Sequence, residues 1–221
     1  MLKNALFAAL LFSTAAAAEE AVRPPPLPQQ DLPASEGLQT AVFAGGCFWG
    51  MQGVFQHVKG VHDVTAGYSG GAAVTAHYER VEWGDTGHAE AVRMHFDPRE
   101  ISYGRLLQVF FSVIDPTSFN RQGPDQGLQY RSEIFAADPA QQRTASAYID
   151  QLARSHVFAH PIVTRVSSLS GFYPAESYHQ DYLVKHPDAP YIVINDQPKI
   201  EKLKRLYPDL YRPNPITMAR R

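Results

Sequence analysis

Residues 39–50 read QTAVFAGGCFWG, and their order predicts a strand that turns sharply into a helix. Residues 40–44 form a short run that favours a strand, and the two glycines after it permit a tight turn. Beyond the turn, apolar side chains recur at intervals of three and four residues, at Phe48, Met51, Val54, Phe55 and Val58. This spacing predicts a helix from Cys47 to about residue 57. Cys47 is therefore expected at the start of that helix.

Strands and helices continue to alternate along the rest of the chain. Strands are expected over residues 61–68, 88–96, 132–136 and 161–166. Ser102 is a suitable N-cap for an amphipathic helix that stops before Pro116, and residues 139–154 predict a second helix with proline in its first turn. Residues 120–127 are expected to form a loop. The pattern predicts an α+β domain.

The composition indicates one globular domain. Of the 221 residues, 44% are hydrophobic and 19% are charged, which is enough to bury a core without metal or disulfide staples. The formal net charge of −2 gives no reason to expect nucleic acid or an anionic membrane as a partner. The single cysteine excludes an intrachain disulfide and a zinc site built on several thiolates. No metal site is expected.

The first eighteen residues have the features of an export signal. Lys3 supplies a positive start, residues 5–12 form an apolar run, and residues 16–18 offer a small-residue cleavage site before Glu19. The alternative is a buried N-terminal helix. The apolar run is too short to span a bilayer, and no other stretch approaches eighteen uninterrupted apolar residues. We expect an exported protein, periplasmic in a Gram-negative bacterium, with no membrane segment in its mature form.

The chain divides into four segments on these grounds. Residues 1–18 are expected to be the signal peptide, and residues 19–38 a proline-rich linker whose composition favours extended polyproline structure. The globular domain is expected over residues 39–210, followed by a C-terminal tail over 211–221.

The position of Cys47 suggests a nucleophile. Unpaired backbone N–H groups at a helix start favour the thiolate, so the sequence predicts a lowered pKa for this thiol. The alternative is a small buried hydrophobic residue, which is what most isolated cysteines are.

Six segments of the chain appear together in one known family. They read GCFWG at 46–50, GYSGG at 67–71, GDTGHAE at 84–90, QYRS at 129–132, FYPAE at 172–176 and YHQDY at 178–182. With their order and spacing, residues 41–207 resemble the peptide methionine sulfoxide reductases of the A type. Any one of these segments alone would be a weak signal, whereas the ordered set is specific.

The resemblance implies a reaction and a set of catalytic groups. A sulfoxide sulfur accepts a thiolate only if its oxygen is protonated or strongly hydrogen-bonded, so the nucleophile Cys47 needs a general acid. The resemblance gives that role to Glu90. It implies that the hydroxyl groups of Tyr78 and Tyr130 point at the sulfoxide oxygen and that Asp125 orders the site. Taken alone, Glu90 could equally be a surface charge, and Asp125 a turn residue.

The same resemblance implies the pocket and the overall architecture. Phe48 and Trp49 would form the wall that receives the substrate methyl group, and Tyr182 would be a further pocket residue, although a core position explains it nearly as well. The implied fold is a two-layer α+β sandwich. It has a ferredoxin-like mixed or antiparallel sheet, helices packed on that sheet and an irregular C-terminal segment.

Recycling is expected to depend on another molecule. Many family members carry further cysteines near the C-terminus that resolve the sulfenic acid as a disulfide, and residues 185–221 contain none. The resemblance therefore implies an external thiol, from a small molecule, a thioredoxin-like protein or another domain in trans, and no organic or metal cofactor. The substrate would be methionine sulfoxide, free or in oxidised proteins, and the family acts on the S epimer. We expect a monomer.

The chain also departs from the family pattern at three positions, and two other functions stay open. Gln52, Pro124 and Leu128 stand where the family often has an acidic residue, asparagine and threonine. A cysteine hydrolase would pair Cys47 with a histidine and an aspartate. A secreted binding module would use the aromatic residues as a recognition patch and would not need the cysteine.

One further resemblance is partial. Residues 88–90 match half of a zinc deaminase signature, and the other half would need two more cysteines.

Overall fold

The computed structural model describes residues 23–218, so the expected signal peptide lies outside the described residues. Within this range the strands are β1 (Gln39–Gly45), β2 (Val61–Ser69), β3 (Ala89–Phe96), β4 (Arg121–Gln122), β5 (Asp125–Gln126), β6 (Ser132–Ala136), β7 (Arg165–Ser168) and β8 (Phe172–Pro174). The α-helices of the same range are α1 (Phe48–Gln56), α2 (Tyr78–Val81), α3 (Tyr103–Val113), α4 (Pro139–Ser155), α5 (Tyr182–Lys185) and α6 (Gln197–Leu206). None of the described helices is long and apolar enough to cross a bilayer.

Six of the strands form one mixed sheet in the order β7-β6-β1-β3-β2-β8. The β6–β7 pair is parallel and every other pair in this sheet is antiparallel. Helices α1, α3 and α4 pack against the sheet. The α+β class, the mixed sheet and the packing of helices on it are therefore confirmed.

The two faces of the sheet bury apolar side chains unequally, as β1 shows. Phe43 faces the main core under the helices, where its ring lies 5.1 Å from the ring of Phe110 and 5.7 Å from that of Phe55. Its neighbours Val42 and Ala44 face a smaller cluster on the opposite side. Because successive strand residues point to opposite faces, this buried strand is apolar at every position from 41 to 44.

Most of the predicted elements are confirmed, including the helix that follows Cys47. The N-cap role of Ser102 is also confirmed, because its hydroxyl oxygen accepts a hydrogen bond from Arg105 N–H at 3.2 Å. The strand predicted over residues 161–166 is wrong in its bounds. Pairing with β6 begins with Arg165 opposite Glu133, because the residues before Ser132 form a helical turn and offer no strand to pair with.

Two other expectations are corrected. The loop expected over residues 120–127 contains the short hairpin β4–β5. The C-terminal segment, expected to be irregular, contains α6, a ten-residue helix. Its Ile200 and Leu203 are buried in the main core, so packing against α1 and α3 stabilises a helix whose overall composition is polar.

The proline-rich segment has no helix or strand in its described part, and it lies on the surface of the domain. The backbone carbonyl oxygens of Pro25, Pro26 and Leu27 accept hydrogen bonds from side chains of α3 and α4. Asp31 then accepts a hydrogen bond from Gly104 N–H at 2.8 Å, in the first turn of α3. These contacts attach the segment to the two helices.

Candidate active site

Cys47 lies between the end of β1 and the first turn of α1, as its N-cap residue. Gly46 before it has a φ of +86°, a conformation that glycine adopts without strain. A side chain at this position would also overlap Gln122. The turn therefore requires glycine at position 46. It brings the Cys47 sulfur to a cavity of about 200 Å³, and 7% of the Cys47 surface is exposed.

The structure brings seven of the eight predicted site residues together around this one cavity. Its lining consists of Cys47, Phe48, Trp49, Tyr78, Glu90, Asp125, Tyr130 and Tyr191. The eighth predicted residue, Tyr182, stands one layer back, where its ring stacks on Trp49 with 3.8 Å between the ring centres. Tyr191 is a lining residue that the sequence did not predict.

Glu90 is a buried carboxyl group on β3, beside the nucleophile. Its Oε2 accepts a hydrogen bond from Phe48 N–H at 3.0 Å, at the first turn of α1. Burial raises the pKa of Glu90 to about 8, and the nearby negative charge of Asp125 adds to the effect of burial. The Phe48 hydrogen bond opposes the shift without cancelling it. Glu90 therefore holds a proton at neutral pH.

The lowered pKa predicted for Cys47 is wrong. The thiol does lie at the helix start, and the Trp49 N–H group favours its thiolate. Burial acts in the opposite direction and is the largest influence, so the pKa of Cys47 lies well above its ordinary value. The negative charge of Glu90, once this group ionises above about pH 8, and that of Asp196 raise the pKa of Cys47 further. Cys47 is therefore a thiol at neutral pH, because the N–H groups at the helix start do not offset the loss of solvent.

The two predicted tyrosines enter the cavity from different parts of the chain. Tyr78 opens α2, where its N–H group donates a hydrogen bond to Glu176 at 2.9 Å, and Tyr130 ends a short helical turn after Gly127. Burial and the neighbouring Glu90 raise the pKa of both phenols. Both hydroxyl groups therefore stay protonated and can donate hydrogen bonds over the physiological pH range.

Asp125 reaches the cavity from the β4–β5 hairpin. Its Oδ2 accepts a hydrogen bond from the Tyr191 hydroxyl group. This bond ties the hairpin to the C-terminal part of the chain, 66 residues further along. Nothing in the local sequence of Tyr191 marks it as a site residue, since only the packing of distant segments brings it here.

Aromatic rings form one wall of the cavity. Trp49 is held between Tyr182, which stacks on it, and His179, whose Nδ1 accepts a hydrogen bond from the indole N–H group at 3.1 Å. The His179 ring also lies 5.0 Å from Phe48 and 4.6 Å from Tyr78. His179 is a second residue that the sequence did not predict, although it lies within the quoted segment 178–182.

Gln52, one of the departures from the family pattern, is fully buried in α1. Both the nitrogen and the oxygen of its side-chain amide form hydrogen bonds. Its Nε2 donates hydrogen bonds at 3.0 Å to Val64 O and to Gln180 Oε1, and its Oε1 accepts one from Asp181 N–H. An ionised acidic residue could not donate to Val64 O. The glutamine therefore fits this chain as a tie between α1, β2 and the segment before α5.

A buried ion pair holds two of the loops that carry site residues. Arg131 bonds to Glu133, and both side chains are almost completely buried. The same guanidinium group donates hydrogen bonds to Leu128 O at 2.9 Å and to Gly87 O at 3.0 Å. It thereby connects the turn that presents Tyr130 to the loop that leads into β3.

The histidines do not support the hydrolase or zinc alternatives. No histidine lines this cavity, and over residues 23–218 no hydrogen bond joins the Cys47 sulfur to a histidine. His88 is occupied elsewhere, since its Nδ1 accepts a hydrogen bond from Gly71 N–H and its Nε2 faces Ala72 O at 3.0 Å. A larger cavity of about 310 Å³ beside the end of α4 contains no cysteine or carboxylate in its lining.

One candidate metal-ligand group occurs in the described part of the chain, at His62, Asp97 and Glu100. Both Asp97 carboxylate oxygens already bond to the Arg99 guanidinium group. The group is therefore a surface ion pair with neighbours rather than a prepared metal site.

Comparisons with known proteins agree with the geometry. The family model described as peptide methionine sulfoxide reductase matches residues 39–210. The chain is 54% identical over 187 residues to peptide methionine sulfoxide reductase MsrA 2 of Mesorhizobium japonicum, covering 84% of this chain and 96% of the relative. It is 52% identical over 176 residues to MsrA 2 of a Synechocystis species, covering 79% and 82% of the two chains.

Solved structures give the same result at lower sequence identity. Reduced Mxr1 of Saccharomyces cerevisiae matches with a TM-score of 0.64 and 30% identity, over 73% of this chain and 92% of that one. Methionine sulfoxide reductase A of Corynebacterium diphtheriae matches with a TM-score of 0.62 and 31% identity, over 76% and 85%. The family model, the relatives and the residues around the Cys47 cavity agree: the chain belongs to the peptide methionine sulfoxide reductase family, A type.

Proposed function

We propose that Cys47 and Glu90 carry out the reduction of methionine S-sulfoxide to methionine, with the substrate free or within a polypeptide. As a member of its family the chain is a methionine sulfoxide reductase. The observation that carries the proposal is one small cavity that joins a buried thiol to a carboxyl group with a pKa of about 8. A nucleophile and a protonated acid are the two groups that a sulfoxide needs.

The cavity lining suggests how the substrate is oriented. The methyl group on the substrate sulfur carries partial positive charge and suits the aromatic faces of Phe48 and Trp49. The sulfoxide oxygen then faces the Tyr78 and Tyr130 hydroxyl groups together with Glu90. Neutral donors stabilise the charge that develops on this oxygen without removing the proton from Glu90.

The first half-reaction balances without an outside proton. The Cys47 sulfur forms a bond to the substrate sulfur as the thiol loses its proton, while Glu90 gives its proton to the sulfoxide oxygen. The hydroxyl group then passes from the substrate sulfur to the Cys47 sulfur, which breaks the sulfur–oxygen bond of the substrate. The new bond between the two sulfur atoms breaks at the same time, and its electron pair goes to the methionine sulfur. Methionine leaves with two more electrons on its sulfur, Cys47 is left as a sulfenic acid, and the thiol proton restores Glu90.

The second half-reaction requires an external thiol. The chain has one cysteine, so the sulfenic acid cannot form a disulfide within these 221 residues. We propose that an incoming thiol attacks the sulfenic acid, releases water and leaves a mixed disulfide on Cys47. A second thiol then regenerates the Cys47 thiol and leaves as a disulfide. A small-molecule thiol and a thioredoxin-like protein are the two candidate reductants.

Separate incubation with each epimer of methionine sulfoxide tests this function. With dithiothreitol present, we expect many turnovers of the S epimer and none of the R epimer, measured as methionine by chromatography. Without any thiol, we expect the S epimer to stop after one turnover. Equal use of both epimers, or repeated turnover without a thiol, would contradict the proposal.

We also propose that the protein is exported, acts as a monomer and has a ferredoxin-like core. The features of residues 1–18 support export, and N-terminal sequencing of the protein recovered from the periplasm is expected to begin at Glu19. Recovery of the protein with its leader intact from the cytoplasm would contradict export.

The strand order β6-β1-β3-β2, in which every pair is antiparallel, supports the ferredoxin-like description of the core.

A further inference from the structure

A buried ion pair lies next to the active site but does not line its cavity. Asp196 is completely buried at the end of a π-helical turn, Ile192–Asp196, which follows the cavity residue Tyr191. Its Oδ1 accepts a hydrogen bond at 2.9 Å from Lys199, which lies in the first turn of α6. Single π-helical turns of this kind are frequent at functional sites.

The pair lies directly against the first turn of α1. A Cβ atom added to Gly50, three residues after Cys47, would overlap the Asp196 carboxylate and come within 2.9 Å of Lys199 Nζ. Glycine at position 50 therefore allows the pair to approach the helix backbone. The contact fixes the π-helical turn and α6 against the helix that begins at the nucleophile.

The second oxygen of this carboxylate is unpartnered. Asp196 Oδ2 is buried and has no hydrogen-bond partner among residues 23–218. Leaving a buried polar atom without a partner costs stability. An ion pair kept only to attach α6 would not require that cost, because apolar side chains would pack there as well.

Asp196 acts on both groups that the reaction uses. Its negative charge opposes ionisation of the Cys47 thiol, as does that of Glu90 on β3 once Glu90 has ionised, and Lys199 has a weaker effect in the opposite direction. Asp196 and Asp125 together oppose ionisation of Glu90. The other titratable groups around the cavity are tyrosines, at Tyr78, Tyr130 and Tyr191, whose pKa values are raised so that they stay neutral.

We propose that Asp196 is a positioning residue for the reaction at Cys47: its buried carboxylate, fixed by Lys199 against the first turn of α1, adds to burial in opposing loss of the proton from the thiol and from the Glu90 carboxyl group. The effect of Asp196 on the reaction rests on the proposed function. Its effect on the Cys47 thiol in the absence of substrate is independent of that function. Because the thiolate is the form that attacks disulfides and reacts with oxidants, the same charge also slows oxidation of the only cysteine of the chain between turnovers.

The pH dependence of Cys47 alkylation by iodoacetamide, without substrate, tests the proposal in the full-length protein. Asp196→Asn keeps the size of the side chain and an oxygen for Lys199, and it removes the charge. We expect the midpoint of the alkylation profile to fall by about one pH unit, which is about a tenfold faster reaction below the midpoint. The alkaline limb of the single-turnover reduction is expected to shift to lower pH as well, because Glu90 then ionises more readily.

The control is Asp209→Asn, which removes one charge from an exposed ion pair with Arg105. It is expected to leave the alkylation profile unchanged. If Asp196→Asn does not fold, the double variant Asp196→Asn with Lys199→Met leaves no unpaired buried charge. It is expected to shift the midpoint in the same direction by less, because Lys199 has the weaker effect.

Superimposable alkylation profiles for the folded Asp196 variant, the Asp209 variant and the unmodified protein would overturn the proposal. Because alkylation requires no reductase activity, this result is independent of whether the chain reduces methionine sulfoxide.

Discussion

Replacing Cys47 with serine is expected to reduce the formation of methionine from methionine S-sulfoxide to below detection. A serine hydroxyl group at this position cannot take up the sulfoxide oxygen, and no second cysteine of the chain can replace the sulfur. The measurement is methionine released in the presence of dithiothreitol, with circular dichroism to show that the variant is folded. Serine differs from cysteine by one atom, so the buried position at the start of α1 is expected to tolerate it.

The result also separates the alternatives. A binding module would keep its function without the thiol. A cysteine hydrolase would lose activity but would never have produced methionine from the sulfoxide. Methionine formation by folded Cys47→Ser protein within tenfold of the unmodified rate would contradict the nucleophilic role of Cys47.

Replacing Glu90 with glutamine is expected to slow the single-turnover reduction by about 10²- to 10⁴-fold, the usual range for loss of a general acid. Glutamine keeps the shape of the side chain and an oxygen that accepts the Phe48 N–H bond, but it has no acidic proton to give. The matched control is Glu79→Gln on α2, an exposed carboxylate, which is expected to leave the rate unchanged. A rate for Glu90→Gln within threefold of the control would exclude Glu90 as the acid.

The role of Glu90 as the acid also predicts the direction in which the single-turnover rate changes with pH. The pKa of Glu90 is raised to about 8, so the carboxyl group is protonated below that pH and loses its proton above it. Because the acid must be protonated to act, the single-turnover rate is expected to fall as the pH rises through about 8. In Glu90→Gln that fall should be absent.

Much of this site could be predicted because the signals are local in the sequence. The strand, the two glycines and the helical spacing after Cys47 are consecutive, so the position of the nucleophile follows from residues 39–58 alone. Ser102 and the apolar spacing after it determine α3 in the same way. The roles implied for Glu90 and Asp125 came from the family resemblance, and packing of β3 and the β4–β5 hairpin brings both carboxyl groups to the Cys47 cavity.

The features that sequence reasoning missed depend on contacts between distant segments. Tyr191 reaches the cavity, and His179 reaches the Trp49 ring that lines it, only because the C-terminal third of the chain folds back over α1. The strand β7 begins where β6 offers partners, and not where its own residues favour a strand. The pKa of Cys47 was predicted in the wrong direction because burial, which a helix start does not reveal, outweighs the N–H groups.

The most direct test is one turnover of the reduced protein. The protein, with Cys47 as the free thiol, is mixed with excess methionine S-sulfoxide and no other thiol, and methionine and Cys47 sulfenic acid are counted. One equivalent of each per chain is the predicted result, with no further methionine until a thiol is added. Folded, fully reduced protein that releases no methionine, or that releases it without oxidation of Cys47, would contradict this account.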